Sequence, residues 1–287
     1  MAERHFACTQ CGQCCNRAPE LELGEAAALV DVFVLRLLMR IYSLPRSVSD
    51  YGAEGLPREL ASVEFYQSKR LLSSFAAASW SAKVRRGAKA MDYIQYLSLS
   101  VLPLDLGTGS CNAVRENRCG IYPRRPLSCR SVPLHYSRPA SAATRDLDAF
   151  TATPDYACAT GGDAPLVIEN DQIIDPATLS ARTDGVVRAR ADGPWKTAIV
   201  HAMKAGQHGL PSPRAVEAQA TRGALTVSMQ LAWQIAGEAG LLAPGECRSL
   251  IAAQTGTIAR LLTEPGLSSD ARQTLLEMQR ETVEALA

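Results

Sequence analysis

Residues Ala28–Tyr42 read ALVDVFVLRLLMRIY, the most apolar stretch of a 287-residue chain, and the way this stretch folds sets the fold class. Asp31, Arg36 and Arg40 are spread through its middle. Three charges at those depths are costly in lipid, so the stretch reads as a buried element and not as a membrane span. It belongs to a longer run, Glu22–Tyr42, rich in Ala, Leu and Val and followed by Pro45, a natural helix stop. That pattern predicts a buried helix. Downstream, Glu59–Trp80 sets Leu60, Val63, Leu71, Leu72 and Phe75 near helical spacing, and Ala82–Leu99 reads as a third helix. The basic run KVRRGAK near the start of that third segment fits a solvated face.

Beyond Asp175 the pattern is again helical: Pro194–Gln207, Arg214–Leu242 with a break near Gly237 or Gly240, Glu246–Leu262 and Ser269–Leu286. Between the two helical blocks, Cys111 to Pro165 is interrupted by Pro123, Pro126, Pro133, Pro139 and Pro154 and reads as irregular. PLVIENDQIID, residues 165–175, reads as a short β-hairpin turning at Asn170 and Asp171. The expected fold is mainly α with minor β: an irregular cysteine-rich core framed by helices. Residues 1–170 would form a cysteine-cluster unit with a helical insert at about 20–100, and 171–287 a helical C-terminal region.

The composition, 47% hydrophobic and 21% charged, suffices for a substantial core. Thirty Lys and Arg nearly balance 29 Asp and Glu, so no chain-wide basic field exists for nucleic acid. MAERHFACTQ has no apolar run and does not read as a secretory signal, so the expected compartment is the reducing cytoplasm.

The chemistry is concentrated in cysteine. Eight of nine precede residue 160, and the first four, Cys8, Cys11, Cys14 and Cys15, fall within ACTQCGQCC. A two-residue spacer lets successive thiolates turn back toward one metal or cluster, and Gly12 suits a backbone that needs positive φ or close approach there. Adjacent residues such as Cys14 and Cys15 tend to project differently, so one of them can serve a second centre or a different role at the same one. Cys111, Cys119, Cys129 and Cys158 add four thiols, and eight thiolates fill two four-coordinate sites, two cubane clusters, or one cluster with a remainder. Tight spacing and a reducing compartment argue against a disulfide framework. Arg115, Arg118, Arg124, Arg125 and Arg130 are interleaved with these thiols and suit either thiolate stabilisation or ordinary surface charge. Cys247 reads as a bystander.

FACTQCGQCC, then SCNAVRENRCGIYPRRPLSCRSVP, then Cys158, together resemble the CxxCxxCC cysteine-cluster family, often called YkgJ-like and described as zinc- or iron-chelating. The resemblance rests on Cys8, Cys11, Cys14, Cys15, Cys111, Cys119, Ile121, Tyr122, Arg125, Pro126, Cys129, Arg130 and Cys158, within the first 160 residues or so. The insert between the two cysteine groups is long, Ala159 follows Cys158 where a proline is the family habit, and the C-terminal helices have no counterpart in small members. The resemblance implies metal ligation by the eight cysteines, as iron–sulfur clusters of the 4Fe-4S type or as zinc. The family's flagellin lysine-N-methylases extend the implication to S-adenosylmethionine and to a protein substrate such as flagellin. The alternative is a noncatalytic carrier, sensor or assembly module.

Other motifs are thin. LDLGTGS, residues 104–110, superficially matches the glycine-rich turn of Rossmann-like methyltransferases, but the residues after it fit a helix poorly and a turn delivering Cys111 is the better reading. His135, six residues after Cys129, reads as a loop histidine before a ligand. His5 takes the same discount, and His201 and His208 read as structural or exposed. No P-loop, Gly-x-Ser-x-Gly or His-Glu-x-x-His is present.

Overall fold

The computed structural model describes residues 3–51, 57–86, 89–219 and 223–286. In chain order the elements are β1 (Glu3–His5), β2 (Leu35–Pro45), α1 (Arg58–Phe75), β3 (Ala78–Arg86), β4 (Lys89–Pro103), β5 (Val114–Arg115), β6 (Arg118–Cys119) and α2 (Leu127–Arg130). There follow α3 (Ala143–Thr151), β7 (Leu166–Glu169), β8 (Gln172–Ile173), α4 (Pro176–Ala191), α5 (Gly193–Ala205), α6 (Pro213–Gln219), β9 (Ala224–Ser228), α7 (Met229–Glu238), α8 (Pro244–Leu262) and α9 (Ser269–Leu286). Short 3-10 turns join them, the longest at Leu23–Leu29. Among the described residues no helix is long and apolar enough to cross a membrane.

The expectation of a mainly α chain is wrong. The chain mixes helices with three sheets, the largest a four-stranded antiparallel sheet in the order β3-β4-β2-β9. The stretch read as the first long helix divides into the 3-10 turn and β2, and the stretch read as the third helix is the β3–β4 hairpin. Gly87 and Ala88 of the basic run KVRRGAK lie outside the described residues. Within Arg214–Leu242 a strand, β9, separates α6 from α7. Helices α1, α4, α5, α8 and α9, and the hairpin of β7 and β8, stand close to where the sequence puts them, whereas α2 and α3 fall in the Cys111–Pro165 stretch read as irregular, α3 fitting between Pro139 and Pro154.

The reason for the error is burial on both faces of a central strand. β2 pairs with β4 from Leu35↔Pro103 to Pro45↔Tyr93 and, along its other edge, with β9 from Arg36↔Ser228 to Arg40↔Ala224. Leu35, Leu37, Leu38 and Met39 are all buried, so the apolar residues run on without the alternation of a one-sided strand. A continuous apolar run cannot be told from a buried helix by periodicity, and Leu, Met and Arg are good helix formers. Pairing on both edges overrides that preference. In β4, by contrast, Leu97, Leu99 and Val101 alternate with Ser98 and Ser100, a strand signal legible in the sequence.

The main core lies on one face of this sheet. Leu35, Leu37 and Met39 of β2 and Leu97, Leu99 and Val101 of β4 pack with Ile199 and Met203 of α5, Trp233 of α7 and Ile251 of α8. A second cluster joins Val34 and Leu104 to α8 and α9 through Ile258, Leu261 and Leu275. At the entry to β2, buried Gln254 of α8 accepts from the Leu35 amide (2.8 Å) and donates to the Phe33 carbonyl (3.0 Å). Thr257 donates to the Val30 carbonyl (2.7 Å). These side chains satisfy backbone groups that neither the 3-10 turn nor the strand uses.

Beneath the 3-10 turn sits a buried polar network. Tyr136 donates to Glu22 Oε1 (2.7 Å), Lys196 Nζ lies 3.9 Å from Glu22 Oε2, and the Gly24 amide donates to both Asp192 carboxylate oxygens (3.1 Å each). Lys196 also donates to the Phe75 and Ala189 carbonyls (3.1 Å each). Gly185 of α4 gives the Tyr136 ring its space: a Cβ there would stand 2.3 Å from the ring. Burial pushes the Glu22 carboxyl up to about 7, against the pull of Lys196 and Tyr136. A carboxyl raised in the folded state binds more protons there than in the unfolded chain between its ordinary value and about 7, so its contribution to stability falls as pH rises through that window. The loss is on the order of 3 kcal/mol at most. In denaturant unfolding Glu22→Gln, which keeps an acceptor for Tyr136, should therefore lose less stability, or gain more, than the parent between pH 5 and pH 8.

Candidate metal centre

The sheet sets up the cysteine site. Leu21, six residues after Cys15, exchanges two backbone hydrogen bonds with Val101 of β4 (2.8 Å each). β4 ends at Pro103, and the turn through Leu104–Ser110 brings Cys111 back so that its amide donates to the Cys15 carbonyl (2.7 Å). Gly107 and Gly109 in this turn have φ of +72° and +71°. The segment after it is the β5–β6 hairpin and not a helix, so the LDLGTGS turn lacks the helix N-terminus a Rossmann-like cofactor site needs.

The hairpin closes through Glu116 and Asn117, both left-handed with φ of 50° and 58°, as a two-residue turn between twisted strands requires. It sets Cys119 opposite Val114. The first cysteine loop lies against its tip. Gly12 has φ +74°, and a Cβ there would sit 2.7 Å from the Asn117 carbonyl oxygen. Gly12 thus needs both its left-handed backbone and its missing side chain, and what it approaches is the hairpin carbonyl.

Cys129 sits on the single-turn helix α2, which follows Pro126 and has no side-chain cap of its own. Glu25, 102 residues away, supplies the cap: its Oε1 accepts from the Leu127 amide (2.8 Å) while Oε2 accepts from the Glu22 amide (3.1 Å). Nothing local in the sequence signals this, because the capping residue comes from the other end of the cysteine region.

Cys158 is brought in by a zipper along the N-terminal strand. Ala7 and Ala159 exchange backbone bonds of 2.8 and 3.1 Å, and Thr9 Oγ1 donates to the Ala157 carbonyl (2.7 Å). In this antiparallel register Cys8 stands opposite Cys158. Phe6, one residue before the bridge, is buried with Leu134, Leu147 and Ile168, and Cys158 packs against that cluster.

The thiols accordingly fall into two neighbourhoods. Cys158 feels the charges of Cys8, Cys11 and Cys14, and burial pushes it up to about 11. Cys129 feels Cys111 and Cys119, and burial pushes it up to about 12. Cys15 feels Cys14, Cys111 and Cys129 and is pushed up, most strongly by its hydrogen bond to Cys14. That bond, helped by Arg125, lowers Cys14 to about 6. The first neighbourhood is Cys8, Cys11, Cys14 and Cys158; the second is Cys15, Cys111, Cys119 and Cys129. They meet at the adjacent pair Cys14 and Cys15. All eight are free thiols, and among the described residues no group of three or more His, Cys, Asp or Glu side chains is arranged to hold a metal ion as it stands. The backbone pairings bring the thiol-bearing segments beside one another.

Does the donor set fit a metal or cluster? Buried thiols that penalise one another's ionisation are the groups a cation discharges by coordination. Arg125 points the same way. Its guanidinium lies 3.7 Å from the Tyr122 ring centroid, it favours the thiolates of Cys14 and Cys129, and its buried Nε has no acceptor. Ser128 Oγ is also buried without a well-aligned partner, beside Cys129. Unused donors beside thiols fit an anionic thiolate centre.

The other arginines are mostly engaged elsewhere: Arg124 with Asp31 (2.8 Å), Arg130 with Asp184 (3.5 Å) and Arg115 with Glu264 (4.0 Å). Arg115 still favours the Cys111 thiolate. His135 stacks on Tyr136 at 4.2 Å, pairs with Ser137 (2.8 Å) and is pushed down to about 4 by burial, which marks a neutral structural ring. His5 pairs with the Ala164 carbonyl (2.8 Å), and His208 with Glu238 (3.1 Å). Cys247 lies in the first turn of α8 against Gly237, apart from the eight.

No protein-family model, curated protein or solved structure matches the chain. The argument for function therefore stands on the residues themselves.

Gly12 offers a direct test of the loop geometry. Gly12→Ala should cost about 1–2 kcal/mol from the left-handed backbone alone. The Asn117 contact adds to this, and metal content after purification should fall together with the unfolding midpoint.

Proposed function

We propose that this protein binds metal through eight cysteine thiolates, Cys8, Cys11, Cys14, Cys15, Cys111, Cys119, Cys129 and Cys158, in two four-thiolate centres within a reducing compartment. The observation that carries the reading is convergence. Cysteines from three stretches of chain, separated by up to 150 positions, meet through specific backbone pairings, while Cys247 stays apart. A chain that merely contained cysteine would have no reason to spend Gly12, a remote helix cap at Glu25 and a strand zipper on bringing them together. The C-x2-C-x2-C spacing of the first three favours iron–sulfur clusters of the 4Fe-4S type, with zinc as the other cation that four thiolates suit. Metal binding would also be folding energy, because the segment from Cys111 to Arg130 is built of single turns and a four-residue hairpin ladder.

The test is metal and acid-labile sulfide content of protein purified without oxygen, read with its visible spectrum. Iron with matching sulfide and a broad charge-transfer band supports clusters. Colourless protein holding zinc keeps the ligands and replaces the cluster. Cys11→Ser should hold less metal than the parent and Cys247→Ser the same amount. Equal metal in the Cys11 variant and the parent overturns the ligand assignment.

A further inference from the structure

Resting on that metal-binding reading, we propose that the two thiol sets hold metal unequally. The outer set, Cys8, Cys11, Cys14 and Cys158, exchanges its metal with solution, and the inner set, Cys15, Cys111, Cys119 and Cys129, retains it.

The asymmetry is one of scaffolding. Cys111 is buried in the main core beside Ala113 and Ile121, and Cys15 and Cys119 pack against the same cluster. Its backbone is held from several directions at once: the Leu21–Val101 bridge, the Cys111–Cys15 hydrogen bond, the β5–β6 hairpin and the Glu25 cap on α2. Parting these ligands means opening the sheet-backed core, and openings of that kind approach the cost of global unfolding.

The outer set is assembled differently. Cys8 is exposed where Cys111 is buried, and the other three thiols of each set are partly covered alike, so the difference lies in what holds the backbone. Cys8 and Cys11 ride on the chain leaving β1, a three-residue edge strand whose one neighbour is β7. What holds them to Cys158 is the Ala7–Ala159 bridge, the Phe6 amide to the Pro165 carbonyl (3.0 Å) and the Thr9 hydroxyl to Ala157. Peeling this strap parts Cys8 and Cys11 from Cys158 and exposes one large apolar side chain, Phe6, without touching the four-stranded sheet. Short edge strands held by so few bonds occupy the low end of local opening free energies. Release from the outer set is ligand exchange without change of oxidation state: each metal–thiolate bond breaks as a bond to the chelator forms, the freed thiolate takes a proton from solvent, and where the centre is a cluster its inorganic sulfide leaves to solution as hydrogen sulfide.

The test uses the full-length metal-loaded protein challenged anaerobically with excess EDTA, with the released metal followed over time. Two phases of similar amplitude are expected, at least about tenfold apart in rate. Cys158→Ser should abolish the fast phase and halve the metal content while the slow phase survives. Thr9→Val, which removes the hydroxyl's tie to Ala157 and its hydrogen bond to Cys11 while leaving every thiol in place, should speed the fast phase alone. One rate for all the metal, or equal changes in both phases in either variant, overturns the inference while leaving the ligand assignment intact. Parent protein that carries no metal overturns the metal-binding reading itself, and this inference with it.

Discussion

The antiparallel pairing of β2 with β4 is the constraint on which the rest of the molecule depends. It turns an apolar run of good helix formers into a central strand, gives α5, α7 and α8 a surface to cover, and fixes both ends of the cysteine region. Leu21 is stitched to Val101, and two residues beyond Val101 the strand ends and releases the turn to Cys111. Cys15 and Cys111, 96 positions apart by numbering, are thereby neighbours before any metal arrives. Without β4 as a common rail the two cysteine groups would have no shared frame.

Around that rail the thiol site is maintained by groups that are not ligands. Glu25 caps the turn bearing Cys129, and its other oxygen holds the start of the 3-10 turn in whose base Glu22, Tyr136, Lys196 and Asp192 are buried. Burying a carboxylate and an ammonium 3.9 Å apart is costly unless hydrogen bonds satisfy what remains. Here Tyr136 and two backbone carbonyls do so. Position, and not net stabilisation, is what such a network contributes: it ties α4 and α5 to the segment that places Cys15 and Cys129. Arg125, stacked on Tyr122 with a free Nε, is the one interleaved arginine whose charge is directed at thiols of both neighbourhoods.

Where sequence reading fails in this protein, it fails for an identifiable reason. Leu35–Met39 carries no alternation because both faces of β2 are covered, and local propensity there points to helix. The alternation in Leu97, Leu99 and Val101 is a strand signal that the helix reading of Ala82–Leu99 passes over. β9 is five residues between two helices, too short to register against a helical background. The hairpin at Asn170–Asp171 is legible because its turn chemistry is local: both residues take the left-handed conformation that Asn and Asp tolerate.

The sequence by itself determines the chemistry of the site. Thiol type and C-x2-C-x2-C-C spacing name the proposed ligands, Gly12 marks the left-handed close approach, and the prolines after Cys111 announce a much-interrupted backbone, because these are properties of residues and their near neighbours. Only the tertiary structure decides the fold class and the division of the thiols. A strand exists through partners up to 192 positions away, Cys8 meets Cys158 through a bridge that no local pattern encodes, and adjacent Cys14 and Cys15, hydrogen-bonded to each other, have Cys158 near the first and Cys111 and Cys129 near the second. Long-range pairing is paid for by burial of the whole sheet, and that is a sum no window of sequence contains.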